Sequence, residues 1–220
     1  MTFSNPDFIL ASASPRRCEL LQQIGCRFQV SPADIDETVL VDEDPVDYVR
    51  RMALQKAQAG WDANQAKELP VLGADTAVVL YFKDKDSKGQ GSKKPGGEKT
   101  SEIFGKPLDQ ADAVSMLMRL SGATHHVLSG VAMVKGRDQR TVFSESLVTF
   151  RYLTEKECVR YWLTGEPCDK AGAYAIQGLG AVFVERLNGS YSGVVGLPLI
   201  ETCTLLDDFD VPWWSGLDRD

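Results

Sequence analysis

The chain is poor in the residues from which most metal-binding and hydrolytic motifs are built. Among its 220 residues there are only two histidines, His125 and His126. As neighbours on a strand they would face opposite ways, which excludes a histidine-rich metal site. One of them could still serve a Ser-His-Asp arrangement, but no Gly-x-Ser-x-Gly elbow supports it. The five cysteines, Cys18, Cys26, Cys158, Cys168 and Cys203, are odd in number and form no Cys-x-x-Cys pair. That argues for reduced thiols and against a disulfide framework or a zinc site. No Gly-x-x-x-x-Gly-Lys-[Ser/Thr] occurs, so the chain is not a P-loop ATPase, and no Gly-x-Gly-x-x-Gly follows a strand, which argues against a Rossmann dinucleotide site. No apolar run is long enough to span a bilayer, and no basic N-terminal segment leads into a long apolar core. A cytoplasmic protein with no membrane partner is the expectation. Basic residues are also in deficit, 24 against 31 acidic, for a net charge of −7. This argues against general nucleic-acid binding, which needs a broad basic surface, but not against a small anionic ligand met by a local basic cluster.

What is present is a globular pattern, with 43% hydrophobic residues in a chain long enough for one large domain or two small lobes. Residues 7–11 form an apolar strand that runs into Ser12-Ala13-Ser14-Pro15-Arg16-Arg17. Ser14 suits a helix N-cap and Pro15 the first helical position, and Leu20, Leu21 and Ile24 carry the helix to Gly25. A helix N-terminus with two guanidinium forks beside it favours phosphate oxygens; a capped surface helix with solvated arginines explains the same residues. Phe28 to Val30 is a further short apolar run. Asp44-Pro45 opens a helix with Val46, Val49, Ala53 and Ala57 on one face, and Pro70 to Phe82 is a long strand. A helix over 109–120 is expected to bury Val114, Leu117 and Met118. Residues 124–135 and 140–151 pair as a hairpin around Gly136-Arg137-Asp138. Thr154 and Glu157 make a capping box for a helix ending at Gly165. A strand over 181–187 and a helix from Pro198 complete a mixed α/β sheet with helices on both faces. Residues 83–100 are rich in Gly, Ser and Lys without an apolar anchor, so a mobile insertion is expected. The tail, residues 209–220, carries Trp213-Trp214, expected to pack on the domain or an oligomer interface.

Polar groups stand where strands and helices do not need them. Asp75 in Gly73-Ala74-Asp75-Thr76 interrupts an apolar strand, and such a carboxylate needs a cation or a metal; a structural salt bridge would satisfy it as well as catalysis would. Asp36-Glu37 is a solvated pair or a ligand pair. Lys56 beside Ala57 is a snorkelling lysine or a phosphate group. Lys106 sits in Gly105-Lys106-Pro107, and residues 169–178, Asp-Lys-Ala-Gly-Ala-Tyr-Ala-Ile-Gln-Gly, form a loop of small residues with four polar side chains. Together these supply carboxylates for a divalent cation, cations for phosphates, and amide and hydroxyl groups for reading a base. That is an inventory for metal-assisted attack on a polyphosphate.

In this order, from about residue 7 to 208 and ending on Gly196-Leu197-Pro198, the motifs resemble those of the Maf family, once called septum formation proteins. The resemblance implies a single domain over 1–220 with an elongated mixed sheet, helices around it, and two lobes about a central cleft. It implies a cytoplasmic nucleoside triphosphate pyrophosphatase, possessing a divalent metal (Mg²⁺ or Mn²⁺), that cleaves between the α- and β-phosphates. Asp75 corresponds to the proton acceptor; Arg16, Thr76 and Gln177 to specificity positions; Ser14, Arg17, Lys56 and Lys106 to phosphate-binding groups; Glu37 and Asp75 to metal ligands. Ala74-Asp75-Thr76 and Ile176-Gln177-Gly178 match the branch that prefers dTTP and UTP, not the branch with Ser-Asp-Gln and Glu-Gly that acts on methylated GTP. Family habit also implies a homodimer, a role in limiting modified nucleotides and a link to division arrest. The rival expectations are a nucleotide-binding regulator of septation with little turnover, and a pyrophosphatase for deaminated purines such as ITP or XTP. The insertion at 83–100 is the departure from the family pattern, and the motifs on both sides of it are intact.

Overall fold

The computed structural model describes residues 5–64, 68–82 and 100–215. Most of the segment expected to be a mobile insertion therefore lies outside the described residues. In chain order the elements are β1 (Phe8–Leu10), α1 (Pro15–Gln23), β2 (Phe28–Val30), α2 (Pro45–Ala63), β3 (Val71–Phe82), β4 (Thr100–Phe104), α3 (Gln110–Leu120), β5 (Thr124–Lys135), β6 (Asp138–Phe150), α4 (Glu155–Trp162), β7 (Val184–Asn188), α5 (Tyr191–Val195) and α6 (Leu199–Asp208). Among the described residues seven strands form one mixed sheet in the order β2-β1-β3-β5-β6-β7, with β4 added to β3. β1 runs parallel to β2 and β3, whereas β4 is antiparallel to β3. The expected mixed α/β class is the one observed. Among the described residues no helix is long and apolar enough to cross a membrane.

The chain divides into two compact units. One comprises Met1–Thr76, Val127–Ser146 and Leu187–Asp220; the other comprises Ala77–His126 and Leu147–Arg186. In the first, α2 packs through Ala53, Ala57 and Trp61 onto Ile9, Ala11, Val71, Ala132 and Val134. The approach is close enough to require glycine on the sheet. A Cβ on Gly73 would lie 2.3 Å from the Ala53 carbonyl oxygen, and one on Gly130 would lie 2.4 Å from that of Val49. Proline at the first helical position and the Asp44 carboxylate on the Val46 N–H start α2 as expected. Its buried face is Tyr48, Val49, Met52, Ala53, Lys56 and Ala57, with Val46 half-buried at the margin. The tail turns back onto this unit: Val211 is buried, the Trp214 N–H donates to the Ile24 carbonyl and the Trp213 indole to Asp207.

The second unit is built on aromatic contacts. His125, Phe150 and Tyr174 meet edge to face at centroid distances of 4.7–5.5 Å, and Phe183 links Phe150 to Tyr161. α3 buries Ala113, Leu117 and Leu120, while Met118 is 40% exposed. The expected face was therefore misplaced by part of a turn, because Ala113 and Leu120 share one stripe with Leu117 and Met118 does not. The Thr154–Glu157 capping box is present in both directions. Leu179–Phe183 winds as a 3₁₀ turn, so the strand expected from 181 begins at Val184. β4 had no counterpart in the residue pattern. All five cysteines are free, and burial pushes the Cys26 thiol up to about 12.

His125 is fully buried, with Nε2 2.9 Å from the Tyr174 hydroxyl and Nδ1 without a hydrogen-bond partner among the described residues. It serves the core and no triad. Burial, with a smaller contribution from His126, pulls its pKa from 6.5 to about 3. The fold thus accepts only neutral imidazole, so stability is full above the unfolded pKa and falls as pH drops from there toward the folded one. The slope is about 1.4 kcal/mol per pH unit. Urea unfolding at a series of pH values should show this slope between about pH 6 and 4, in excess of that of His125→Gln; equal slopes would contradict it.

Candidate active site

Gly73 and Asp75 point to the same face of β3, because side chains two apart on a strand do so. The contact of α2 with Gly73 therefore sets Lys56, the residue before Ala57, directly over Asp75. The Lys56 ammonium lies 2.7 Å from Asp75 Oδ1 and 2.6 Å from Glu37 Oε1. Lys56 is 8% and Asp75 7% exposed, whereas Glu37 is open to solvent. The snorkelling reading of Lys56 is thus overturned, since its charged end is buried between two carboxylates. Burial raises the pKa of Asp75, opposed by the charges of Lys56 and Arg17 and by the Lys56 hydrogen bond, with Glu37 adding to the rise. The result is a carboxylate held ionised by a neighbour yet more basic than an ordinary one.

Glu37 is positioned by contacts the residue pattern did not reveal. The Tyr48 hydroxyl donates to the Glu37 carbonyl at 3.2 Å. Arg51, on the same helix, clamps Glu43 with two hydrogen bonds of 2.5 and 2.7 Å and donates to the Thr38 carbonyl at 3.0 Å. Asp36, Glu37's neighbour, turns away to accept from the Thr38 N–H and hydroxyl. The partners of Tyr48 and Arg51 lie 8 to 13 residues away across a loop, a range at which neither helical nor strand spacing pairs residues.

On the other face of β3 stands Thr76. β3 pairs with β1 at Val71 and Leu72 and with β4 from Val78 to Phe82, so Asp75 and Thr76 occupy the stretch between these partners. Thr76 Oγ1 lies 3.0 Å from the Ser129 hydroxyl and 3.4 Å from the Gly196 carbonyl oxygen. That same carbonyl accepts from Arg17 Nε at 3.0 Å, and Arg17 Nη1 donates to Ser12 at 2.9 Å. Arg16 is half-buried in the first turn of α1. Ser14 occupies the N-cap position but its side chain caps nothing; its N–H donates instead to the Ser12 hydroxyl at 3.2 Å. The hydroxyl that organises this turn is therefore that of Ser12, which is buried and shared by the Ser14 amide and Arg17.

Lys106 and Gln177 belong to the second unit, and both are exposed. The Gly105 carbonyl accepts from the Gly172 N–H at 3.1 Å, which ties the Gly-Lys-Pro turn to the Asp169–Tyr174 segment. Lys170 pairs with Asp169. The backbone around Gln177 is pinned by two unforeseen side chains. Glu166 accepts from the Leu179 and Gly180 N–H groups and from the Tyr161 hydroxyl, which itself accepts from the Ala175 N–H. Direct contact thus joins Glu37, Lys56 and Asp75, and a shared carbonyl joins Arg17 to Thr76.

A family model described as Maf-like protein matches residues 7–209. The chain belongs to the Maf family. Among the relatives of this Maf protein, one from Saccharophagus degradans is 47% identical over 216 residues, covering 97% of this chain and 94% of its own. One from Hahella chejuensis is 48% identical, with 94% of each chain covered, and one from Alkalilimnicola ehrlichii is 48% identical over 94% of this chain and 95% of its own. Each of these three relatives is named dTTP/UTP pyrophosphatase.

Among the described residues no three His, Cys, Asp or Glu side chains lie close enough to cage a metal. Two carboxylates converging on one ammonium do fit a hard cation that takes one or two carboxylates and completes its shell with phosphate oxygens and water. The buried pair itself is testable. Lys56→Met strands the Asp75 charge and should destabilise the fold at pH 7 by about 3 kcal/mol. Because Lys56 lowers the Asp75 pKa, its loss raises the folded value further; the penalty is full above the variant's pKa and is relieved as pH falls through it. The deficit in urea unfolding should therefore narrow in acid, and Lys56→Met with Asp75→Asn should remove both the deficit and its pH trend; a deficit independent of pH would contradict the pairing.

Proposed function

We propose that this chain is a nucleoside triphosphate pyrophosphatase that hydrolyses dTTP and UTP to the monophosphate and pyrophosphate in the cytoplasm. The observation that carries the reading is the buried Lys56–Asp75 pair joined by Glu37, in a chain whose relatives bear that activity in their names. Asp75 takes a proton from water as its oxygen attacks the α-phosphorus; the bond from that phosphorus to the bridging oxygen breaks, and pyrophosphate leaves with the pair of electrons. The raised pKa suits this task, since a base works best when its pKa approaches the working pH. Arg17, Arg16 and the Ser14 turn at the start of α1 receive phosphate oxygens. Lys56 and Lys106 meet the charge that grows on the leaving pyrophosphate. Glu37 and Asp75 would hold Mg²⁺ or Mn²⁺, which supplies further neutralisation of the phosphates. Thr76 and Gln177, with Arg16, select the base.

Pyrophosphate release should be measured for dTTP, UTP, CTP, methylated GTP and ITP with Mg²⁺ or Mn²⁺. Release from dTTP and UTP above the others is expected; silence across the panel from folded protein would end this reading. Asp75→Asn should lower kcat by about 10²-fold or more in a protein that still unfolds cooperatively, though with reduced stability because Lys56 loses its buried partner. The acid limb of kcat/KM should lie above the ordinary carboxylate range, with activity falling as pH drops through it. A limb at the usual aspartate value would remove Asp75 from the role of base.

A further inference from the structure

The hydroxyl of Thr76 is wired to one polarity by a residue that the reading above does not use. Ser129, on β5, is 1% exposed and donates its single hydrogen to the Gly193 carbonyl at 2.7 Å, an atom that can only accept. The 3.0 Å contact between Thr76 and Ser129 must then run from Thr76 to Ser129. The other group within reach, the Gly196 carbonyl at 3.4 Å, also only accepts, is beyond the usual O–H···O range and already takes Arg17 Nε. The one hydrogen of Thr76 is consequently held inside the protein, and a ligand on this half-buried hydroxyl meets lone pairs alone.

We infer that Ser129 is a specificity-determining positioning residue: by fixing the Thr76 hydroxyl as an acceptor, it selects bases that present a ring N–H. Uracil and thymine carry an imide N3–H, whereas cytosine carries a bare N3 lone pair at the same place. The wiring meets the first with a hydrogen bond and the second with two opposed lone pairs. Discrimination of this kind is steep because a buried polar group left unpaired costs more than a misfit of shape. The inference rests on the proposed pyrophosphatase reading and on Thr76 touching the base, and the experiment separates these levels.

The unmodified protein is tested first with UTP, CTP and N3-methyl-UTP, in which the imide hydrogen is replaced. kcat/KM for N3-methyl-UTP should fall at least about tenfold below that for UTP; equal values overturn the inference. Ser129→Ala then frees the Thr76 hydroxyl to donate, and the UTP-to-CTP ratio of kcat/KM should contract about tenfold. Ser129→Thr, which keeps the hydroxyl, should retain the ratio, an effect that general loosening would not give. A folded Ser129→Ala protein with an unchanged ratio overturns the inference. Thr76→Val should abolish the preference. An unchanged ratio in that variant removes Thr76 from base reading and the inference with it, while pyrophosphate release from UTP by the unmodified protein would leave the pyrophosphatase reading standing.

Discussion

The close seat of α2 on the sheet is the constraint on which the centre depends. Gly73 and Gly130 leave no room for a Cβ beneath the helix backbone, and Ala53 and Ala57 keep the facing side chains short. A helix held this near brings the long side chain of Lys56 onto Asp75 with its ammonium buried, where a lysine on a helix packed at ordinary distance would reach solvent. The helix also carries Tyr48 and Arg51, so one rigid element sets Lys56 and, through the loop it clamps, Glu37. A side chain larger than hydrogen at residue 73 would displace all of these together.

Strand geometry divides the labour between two adjacent residues. Asp75 faces α2, while Thr76 faces Ser129 and the carbonyl of Gly196, which Arg17 of α1 also reaches. One strand thereby sends an ionisable group to the buried ammonium of Lys56 and a hydroxyl to a network of the Ser129 hydroxyl and the Gly196 carbonyl. The electrostatic link that remains is Arg17, which bonds to Gly196 on the hydroxyl side yet acts on Asp75 through its charge.

The residue pattern displayed the features that depend on short-range rules. The strand-to-helix turn at Pro15, the start of α2, the capping box at Thr154 and the hairpin at Gly136 follow from local backbone preference. Asp75 was conspicuous as a charge in an apolar strand, and the ordered motifs of the Maf family named its companions. Other features depend on three-dimensional neighbours and left no periodic trace. Lys56 had the spacing of any surface lysine on a helix flank, and its burial follows from two glycines on other elements. Ser14 looked like the cap because capping is judged from the helix boundary, whereas the hydroxyl that does the work, Ser12, is recruited by Arg17. Glu166 and Tyr161 pin the backbone around Gln177 across a loop, and Ser129 is one serine in the apolar run from Val127 to Val134 until its partners are known.

A buried ion pair is a poor way to stabilise a protein, since well-packed apolar groups do as well or better. The Lys56–Asp75 pair makes sense instead as a setting of basicity. Burial and Glu37 push the carboxylate up, and Lys56 and Arg17 pull it down, so its proton affinity is the residue of opposed effects. On the proposed reaction, the triphosphate adds negative charge beside Lys56 and Arg17 and competes with Asp75 for both. Their hold on the carboxylate would weaken as the nucleotide arrives, while a cation held by Glu37 and Asp75 would pull the other way, so the basicity of Asp75 in the complex is set by the balance of the two. In the free protein Lys56 and Arg17 offset the burial of the carboxylate, so the groups that receive the triphosphate are also the ones that tune the base.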